Sequence, residues 1–273
     1  MTVERGAAVK TIILIPARYG STRYPGKPLA ELRLPNGTRK PLIQLTWEAA
    51  QAVRGVDGVH VATDDERIAR AAQDFGAQVI MTSDACANGT ERCADALARA
   101  GLSADVVVNL QGDAPLTPPW FIEALIDTMA RDPAVQVTTP VLRCDRETHA
   151  HFLEDRRAGR VGGTTAVFDR AGNALYFSKE VLPYTDASVR AGDGEVPVFH
   201  HVGVYAYRPT ALAAYGGWAP GRLEQLEGLE QLRFLENGAP VRCVTVEARG
   251  RVFWELNNPE DVARIEKVLE AAQ

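Results

Sequence analysis

Arg18, Arg23 and Lys27 fall within ten positions, interleaved with Gly20 and Gly26, directly after the apolar run of TIILIPA. Glycines let backbone N–H groups come close to an anion, and the three cations add charge and forked donors, so the loop suits a polyphosphate. Gly20 to Gly26 is one residue too long for the phosphate-loop ATPase signature, and Pro28 stands where that signature needs a hydroxyl for magnesium. A phosphate-loop ATPase is therefore excluded. Asn88-Gly89-Thr90-Glu91-Arg92 opens an Ala-rich segment in which Thr90 is expected to cap a helix. The amino terminus of a helix is a good place for a ligand hydroxyl or phosphate. Asp113, in Gln111-Gly112-Asp113-Ala114-Pro115, follows an apolar run and precedes a proline, which leaves it open between a metal ligand and a helix cap.

These residues need elements to hold them. Thr11 onward reads as a buried strand delivering the basic loop. A helix is expected over 43–54, a strand over 59–63, a helix over 66–75 behind the acidic pair Asp64-Asp65, a strand over 79–81, and a helix to about residue 100. A near-continuous apolar strand follows at 105–110, then a helix over 120–130. Such alternation defines an α/β chain with a mostly parallel sheet, helices on both faces and ligands at the carboxyl ends of the strands. Further on, 187–197 is expected to be a mobile loop, 198–207 a strand, 222–237 one helix with Gly238 at its end, 241–246 a strand and 261–272 a closing helix.

Composition narrows the class. The 273 residues are 46% hydrophobic and 24% charged, enough for one large α/β domain or two small ones. A net charge of −5 argues against bulk nucleic acid or an anionic membrane as partner. No apolar run approaches the roughly 18 residues that span a bilayer, and residues 1–10 lack the apolar core of a secretory signal, so a cytoplasmic protein is expected. Cys86, Cys93, Cys144 and Cys243 have no C-x-x-C spacing, which favours reduced thiols over zinc. No G-x-G-x-x-G follows a predicted strand, which disfavours a dinucleotide-dependent oxidoreductase.

IPARYGSTRYPGKPLAEL, VATDDERI, NGTERCADAL and VVNLQGDAPL, followed by LYFSKEVLPY, FHHVGVYAYR, LEGLEQLRFLENG and LNNPEDVARIE, resemble in order and spacing the motifs of the 3-deoxy-manno-octulosonate (KDO) cytidylyltransferase family of sugar-acid cytidylyltransferases. The resemblance covers nearly the whole chain. It implies a Rossmann-like nucleotidyltransferase fold in a single domain over 1–273, with 176–215 forming a sugar-site and dimerisation subdomain. It implies an enzyme that uses CTP and magnesium to activate an acidic sugar, and a homodimer. On the nucleotide side it places Arg18, Ser21, Arg23, Lys27, Gly89, Thr90, Arg92 and Gln111. On the acceptor side it places Lys179, His201, Tyr205, Glu230 and Gln231. Asp113 becomes the magnesium ligand, and Arg18 and Lys27 the groups that neutralise the triphosphate. On local pattern alone Tyr205 fits a strand core equally well, and Glu230 or Gln231 a solvated helix face.

Departures from the family pattern gather near the acceptor. Asn257 stands where the family usually has an Asp, replacing a charged metal ligand by an amide that magnesium favours less. Lys179 replaces an Arg fork with a point charge. Residues 160–167 differ from the usual segment and 33–39 form an extra loop; apart from these, in the segment that the resemblance places near the nucleotide's base and ribose, Glu91 stands for the more usual Asp. The same chemistry on an aminated or sialic-acid-like sugar or a small phosphonate, and a non-catalytic nucleotide-binding relative, are the alternatives.

Overall fold

Strand β1 (Thr11–Ala17) is buried along its whole length, and its alternating side chains enter two different cores. Ile13, Ile15 and Ala17 face one layer of helices, while Ile12 and Leu14 face the other, as a period of two requires in a sheet covered on both sides. This is a computed structural model that describes residues 9–20, 24–161, 163–192, 194–251, 255–256 and 258–271.

After β1 a short 3-10 turn (Lys27–Leu29) leads to the hairpin β2 (Glu31–Arg33) and β3 (Arg39–Pro41), then α1 (Leu42–Gln51). The next elements are β4 (Gly58–Thr63), α2 (Glu66–Asp74), β5 (Gln78–Met81), α3 (Gly89–Ala100), β6 (Val106–Leu110) and α4 (Pro119–Arg131). The second half holds β7 (Val137–Arg143), α5 (Arg146–Arg157), β8 (Thr165–Phe168), β9 (Ala174–Ser178), α6 (Ala187–Ala191), β10 (Phe199–His201) and β11 (Val204–Tyr207). It closes with α7 (Pro209–Gly217), α8 (Arg222–Glu227), α9 (Leu232–Glu236), β12 (Arg242–Val246) and α10 (Asp261–Ala271).

The main sheet runs β5-β4-β1-β6-β11-β7-β10-β8-β9, with β12 also on β7. Strands β1, β4, β5, β6, β7, β8 and β12 point one way; β9, β10 and β11 run against them. The parallel half follows the βαβ pattern legible in the sequence. In the second half β10 and β11 act as one interrupted strand along β7: His201 lies opposite Val141, Ala206 opposite Thr138, and the break falls at Val202-Gly203. On its other edge this strand changes partner, from β8 to β6. The parallel core has Ile68 and Ala72 of α2 and Phe121 and Leu125 of α4 on one face; Cys93 and Ala96 of α3 with Leu212 and Tyr215 of α7 cover the other. Each fully buried aliphatic side chain contributes about 1.5–3 kcal/mol.

Four expectations need correction. Helix α3 is capped by Asn88, whose side chain accepts from Glu91 N, so Thr90 lies inside the first turn. Part of 187–197 is ordered as α6, because the Asp186 carboxylate accepts from the N–H groups of Ser188 and Val189. The strand over 198–207 is two strands, as described. The helix over 222–237 is broken: Gly228 takes a left-handed conformation (φ 62°) and its N–H, like that of Leu229, ends on the carbonyl of Glu224. Glu230 and Gln231 therefore lie in the link between α8 and α9, not on a continuous helix face.

Candidate active site

The carboxyl edge of the parallel half gathers the loop after β1, the turn entering α3 and the loop after β6. Gly26 folds the first loop back on itself. Its φ of 73° is open to glycine, its N–H binds the carbonyl of Tyr19 at 2.9 Å, and a Cβ there would lie 3.1 Å from the Tyr19 ring. Tyr19 is held in turn by the Arg67 guanidinium over its ring. Arg67 also forks onto Asp65, whose side chain caps α2 and whose carboxyl is lowered by the Arg67 hydrogen bond. So Asp65, of the acidic pair foreseen as a cap, also steadies the basic loop, while Asp64 pairs with Arg92.

Lys27, delivered by that fold, places Nζ 2.5 Å from Asp113 Oδ2. Asp113 is fixed from behind. A Cβ on Gly112 would stand 2.8 Å from the carbonyl of Pro16, so only glycine lets the 111–113 turn lie this close to β1. The Thr46 hydroxyl donates to the Gly112 carbonyl at 3.1 Å, and Leu256 N–H to the Asp113 carbonyl at 2.9 Å. Asp113 caps no helix, since α4 begins after Pro118. Arg18 extends to the carbonyl of Ala87 at 3.3 Å, across to the turn before α3. Ser21, Arg23 and Asn257 lie outside the described residues.

That turn meets the acceptor-side segment. Glu230 Oε2 accepts from Thr90 N–H at 3.0 Å, and Oε1 accepts from Gln111 Nε2 at 3.1 Å. Lost hydration raises the carboxyl of Glu230, and the bonds from Thr90 act the other way. Gly89 packs directly on the Gln111 amide. The Thr90 hydroxyl pairs with Tyr207 OH at 2.8 Å. Arg92 is buried, with its guanidinium engaged by Thr82 Oγ1, the Ser83 carbonyl and Asp64; a ligand contact would have to displace one of these.

On the acceptor side Tyr205 OH donates to Gln231 Oε1 at 3.0 Å, while the buried Gln231 amide nitrogen has no partner among the described residues. Such a donor costs about 1–3 kcal/mol until something accepts its proton. His201 packs against the edge of Phe177, and its Nε2 lies 2.9 Å from Thr139 Oγ1. The Thr139 hydroxyl also lies 2.8 Å from the carbonyl of Val204; donation there goes with the tautomer that carries the proton on Nε2 and leaves Nδ1 as an acceptor. Burial lowers the His201 pKa to about 3 and keeps the ring neutral. Lys179 approaches Gly228 with Nζ, and its N–H binds Glu227 Oε2 at 2.9 Å.

Glu227 had no signal of its own in the sequence, yet it gathers Tyr176 OH, Ser178 Oγ and Lys179 N–H. Glu255, two residues before Asn257, has Oε1 3.2 Å from where a Cβ of Gly203 would be. Among the described residues no three His, Cys, Asp or Glu side chains cluster as a metal site. A magnesium ion nonetheless fits here: it commonly takes one or two carboxylates and completes its shell with water and substrate phosphates. Asp113, partly open to solvent beside a basic loop, is that kind of donor.

A mostly parallel sheet that carries a basic glycine loop, an anchored carboxylate and a helix amino terminus on one edge has the fold of a nucleotidyltransferase. Residues 12–243 match the family described as cytidylyltransferase. The chain is 44% identical over 263 residues, covering 96% of it and 98% of the relative, to a 3-deoxy-manno-octulosonate cytidylyltransferase from Maricaulis maris. It is 41% identical to an 8-amino-3,8-dideoxy-manno-octulosonate cytidylyltransferase from Shewanella frigidimarina, covering 94% of this chain and 98% of that one. A solved CMP:2-keto-3-deoxy-manno-octonic acid synthetase in complex with CTP superposes with a TM-score of 0.82 at 33% identity, over 97% of this chain and 100% of that one. The chain belongs to the cytidylyltransferase family. No helix among the described residues is long and apolar enough to cross a membrane.

Proposed function

We propose that the protein joins CTP to 3-deoxy-manno-octulosonate, forming the CMP-sugar and pyrophosphate. The anomeric hydroxyl oxygen forms the new bond to the α-phosphorus, the bond to the β-phosphate bridge breaks, pyrophosphate leaves with that electron pair, and the hydroxyl proton passes to solvent. The observation that carries the reading is the meeting, at one sheet edge, of the Lys27–Asp113 pair with the Glu230 bridge to Thr90 and Gln111. The names of the relatives support the choice of nucleotide and sugar.

Asp113 would hold magnesium, which when bound offsets phosphate charge and polarises the phosphoryl group under attack. Arg18 and Lys27 bind the triphosphate and stabilise the charge that builds on the departing pyrophosphate; Ser21 and Arg23 belong to the same loop. Gly89, Thr90, Arg92 and Gln111 shape the nucleotide wall. Gln231 offers its unpartnered amide to a sugar oxygen, Tyr205 fixes that amide, and His201 presents a neutral acceptor nitrogen to a hydroxyl. Glu230 and Lys179 complete the acceptor wall. No side chain acts as nucleophile, so catalysis is positioning and charge stabilisation. A homodimer in the cytoplasm belongs to this reading through the family resemblance.

Pyrophosphate release with CTP, magnesium and a panel of acceptors tests it. Turnover with 3-deoxy-manno-octulosonate exceeding that with its 8-amino analogue, a sialic acid or a phosphonate is the expected result. Release with none of them would overturn the reading, and preference for another acceptor would overturn the sugar assignment.

A further inference from the structure

Arg233 is the largest fully buried side chain, 2% exposed, and it is ionised chemistry placed where hydrophobic packing would be cheaper. Its guanidinium forks onto Glu224 of α8, Nε to Oε2 at 2.7 Å and Nη2 to Oε1 at 2.6 Å. The plane lies over the Tyr215 ring, 4.2 Å from its centroid. These contacts hold α8, α7 and α9 together and account for part of its burial. They do not account for a second carboxylate: Nη2 also lies 2.9 Å from Oε1 of Glu91, in the first turn of α3.

Glu91 passes this contact on. Its Oε2 accepts from Ala87 N–H at 2.7 Å, and the carbonyl of Ala87 is the group that receives Arg18. Asn88, which caps α3 through Glu91 N–H, donates with its amide to Tyr215 OH, the same ring that lies under Arg233. Three residues before Arg233 in the chain, Glu230 binds Thr90 N–H. The α8–α9 link and the turn entering α3 are thus tied twice, through Glu230 at the ligand edge and through Arg233 behind it.

A carboxylate one methylene nearer the backbone would have less reach to span Arg233 and Ala87 at once. The longer side chain is what closes the second tie.

We infer that Arg233, through Glu91, is a positioning residue that makes binding of the two substrates interdependent, by fixing the nucleotide-side turn to the acceptor-side link. The inference rests on the assignment of CTP and a sugar acid to those two sides. The fork of an Arg is what lets one side chain hold two carboxylates in fixed directions. A lysine would keep the charge and lose the shared geometry.

The test measures the affinity of a non-hydrolysable α,β-methylene CTP analogue by calorimetry, with and without saturating 3-deoxy-manno-octulosonate, in the presence of magnesium. Coupling is reciprocal, so one ratio describes both ligands. In the unaltered protein the sugar is expected to tighten the analogue by about tenfold, within the usual range of coupling between sites. Glu91→Gln, which keeps shape and removes the charge, is expected to bring the ratio to within twofold of one, with Glu91→Asp between the two. Arg233→Lys should resemble Glu91→Gln; because it touches the buried Glu224, the more exposed Glu91 variants decide the matter if it fails to fold. A merely structural role would lower the melting temperature and leave the ratio unchanged. An unchanged ratio in Glu91→Gln, or a ratio of one in the unaltered protein, overturns the inference. Pyrophosphate release by the unaltered protein with CTP and the sugar is a separate control, and its absence would count against the nucleotidyl-transfer reading itself.

Discussion

Replacing Asp113 by Asn separates the two roles its carboxylate can play. The substitution keeps the side chain's shape and removes the charge that sits 2.5 Å from Lys27 Nζ. The two side chains are 15% and 24% exposed, so the pair lies between a surface ion pair, worth at most about 1 kcal/mol, and a buried one, whose disruption costs about 3–5 kcal/mol. A loss of about 1–2 kcal/mol in folding stability follows. Catalysis should suffer more, because a lost electrostatic group at the transferring phosphate costs on the order of 3 kcal/mol, which is about two decades of rate. Urea unfolding measures the first quantity, and pyrophosphate release at graded magnesium measures the second. The expected pattern is a folded variant whose kcat/KM is down at least about a hundredfold at saturating magnesium. A variant within threefold of the unaltered protein at every magnesium concentration would refute the placement of Asp113 at the reacting phosphate.

Gly112→Ala should cost about 1–3 kcal/mol and reduce kcat, because the new methyl would sit 2.8 Å from a strand carbonyl that cannot move; unchanged melting and turnover would show that the turn relaxes freely. His201 is neutral in the fold, with its pKa lowered to about 3 by burial. Its contribution to stability is therefore present above the unfolded value near 6.5 and is lost as pH falls toward 3, at about 1.4 kcal/mol per pH unit. His201→Asn should accordingly lose about 2 kcal/mol less than the unaltered protein between pH 6.5 and 5 in urea unfolding, and an equal loss would show that the ring titrates normally. Asn257→Asp, which restores the family's usual carboxylate, should lower the magnesium concentration for half-maximal turnover several-fold; no change in the metal titration would remove position 257 from the metal site.

The nucleotide half was legible because its signals are local. TIILIPA followed by a glycine and cation loop, VVVNL followed by Gln-Gly-Asp, and Asn-Gly-Thr before an Ala-rich run each sit where one strand or helix ends, and the parallel βαβ order brings those ends to one edge. The acceptor half carried a misleading pattern instead. Residues 222–237 have good helix formers throughout, and only the left-handed Gly228, with Glu224's carbonyl taking two N–H groups, shows that the helix stops and restarts. Likewise FHHVGVYAY alternates well enough for one strand, yet at Val202-Gly203 it gives up β8 for β6. The strand break is set by pairing partners far outside a local window, Ala166 opposite Phe199 and Leu110 opposite Val204, whereas the helix break is made locally by the Gly228 turn.

In the proposed function, those two breaks are what turns a phosphate cradle into a two-substrate site. An unbroken helix over 222–237 would carry Glu230 and Gln231 on one rigid cylinder; the Gly228 break lets the Glu230 carboxylate reach Thr90 and Gln111 while Gln231 reaches Tyr205. The break at Val202-Gly203 leaves His201 on β7 and Tyr205 beside Asn109 of β6, the strand that delivers Asp113. The acceptor wall is thus registered against the carboxylate strand by backbone hydrogen bonds rather than by a flexible loop. That rigidity is what a mechanism without a covalent intermediate requires, since holding the attacking oxygen in line with the α-phosphorus supplies much of the rate.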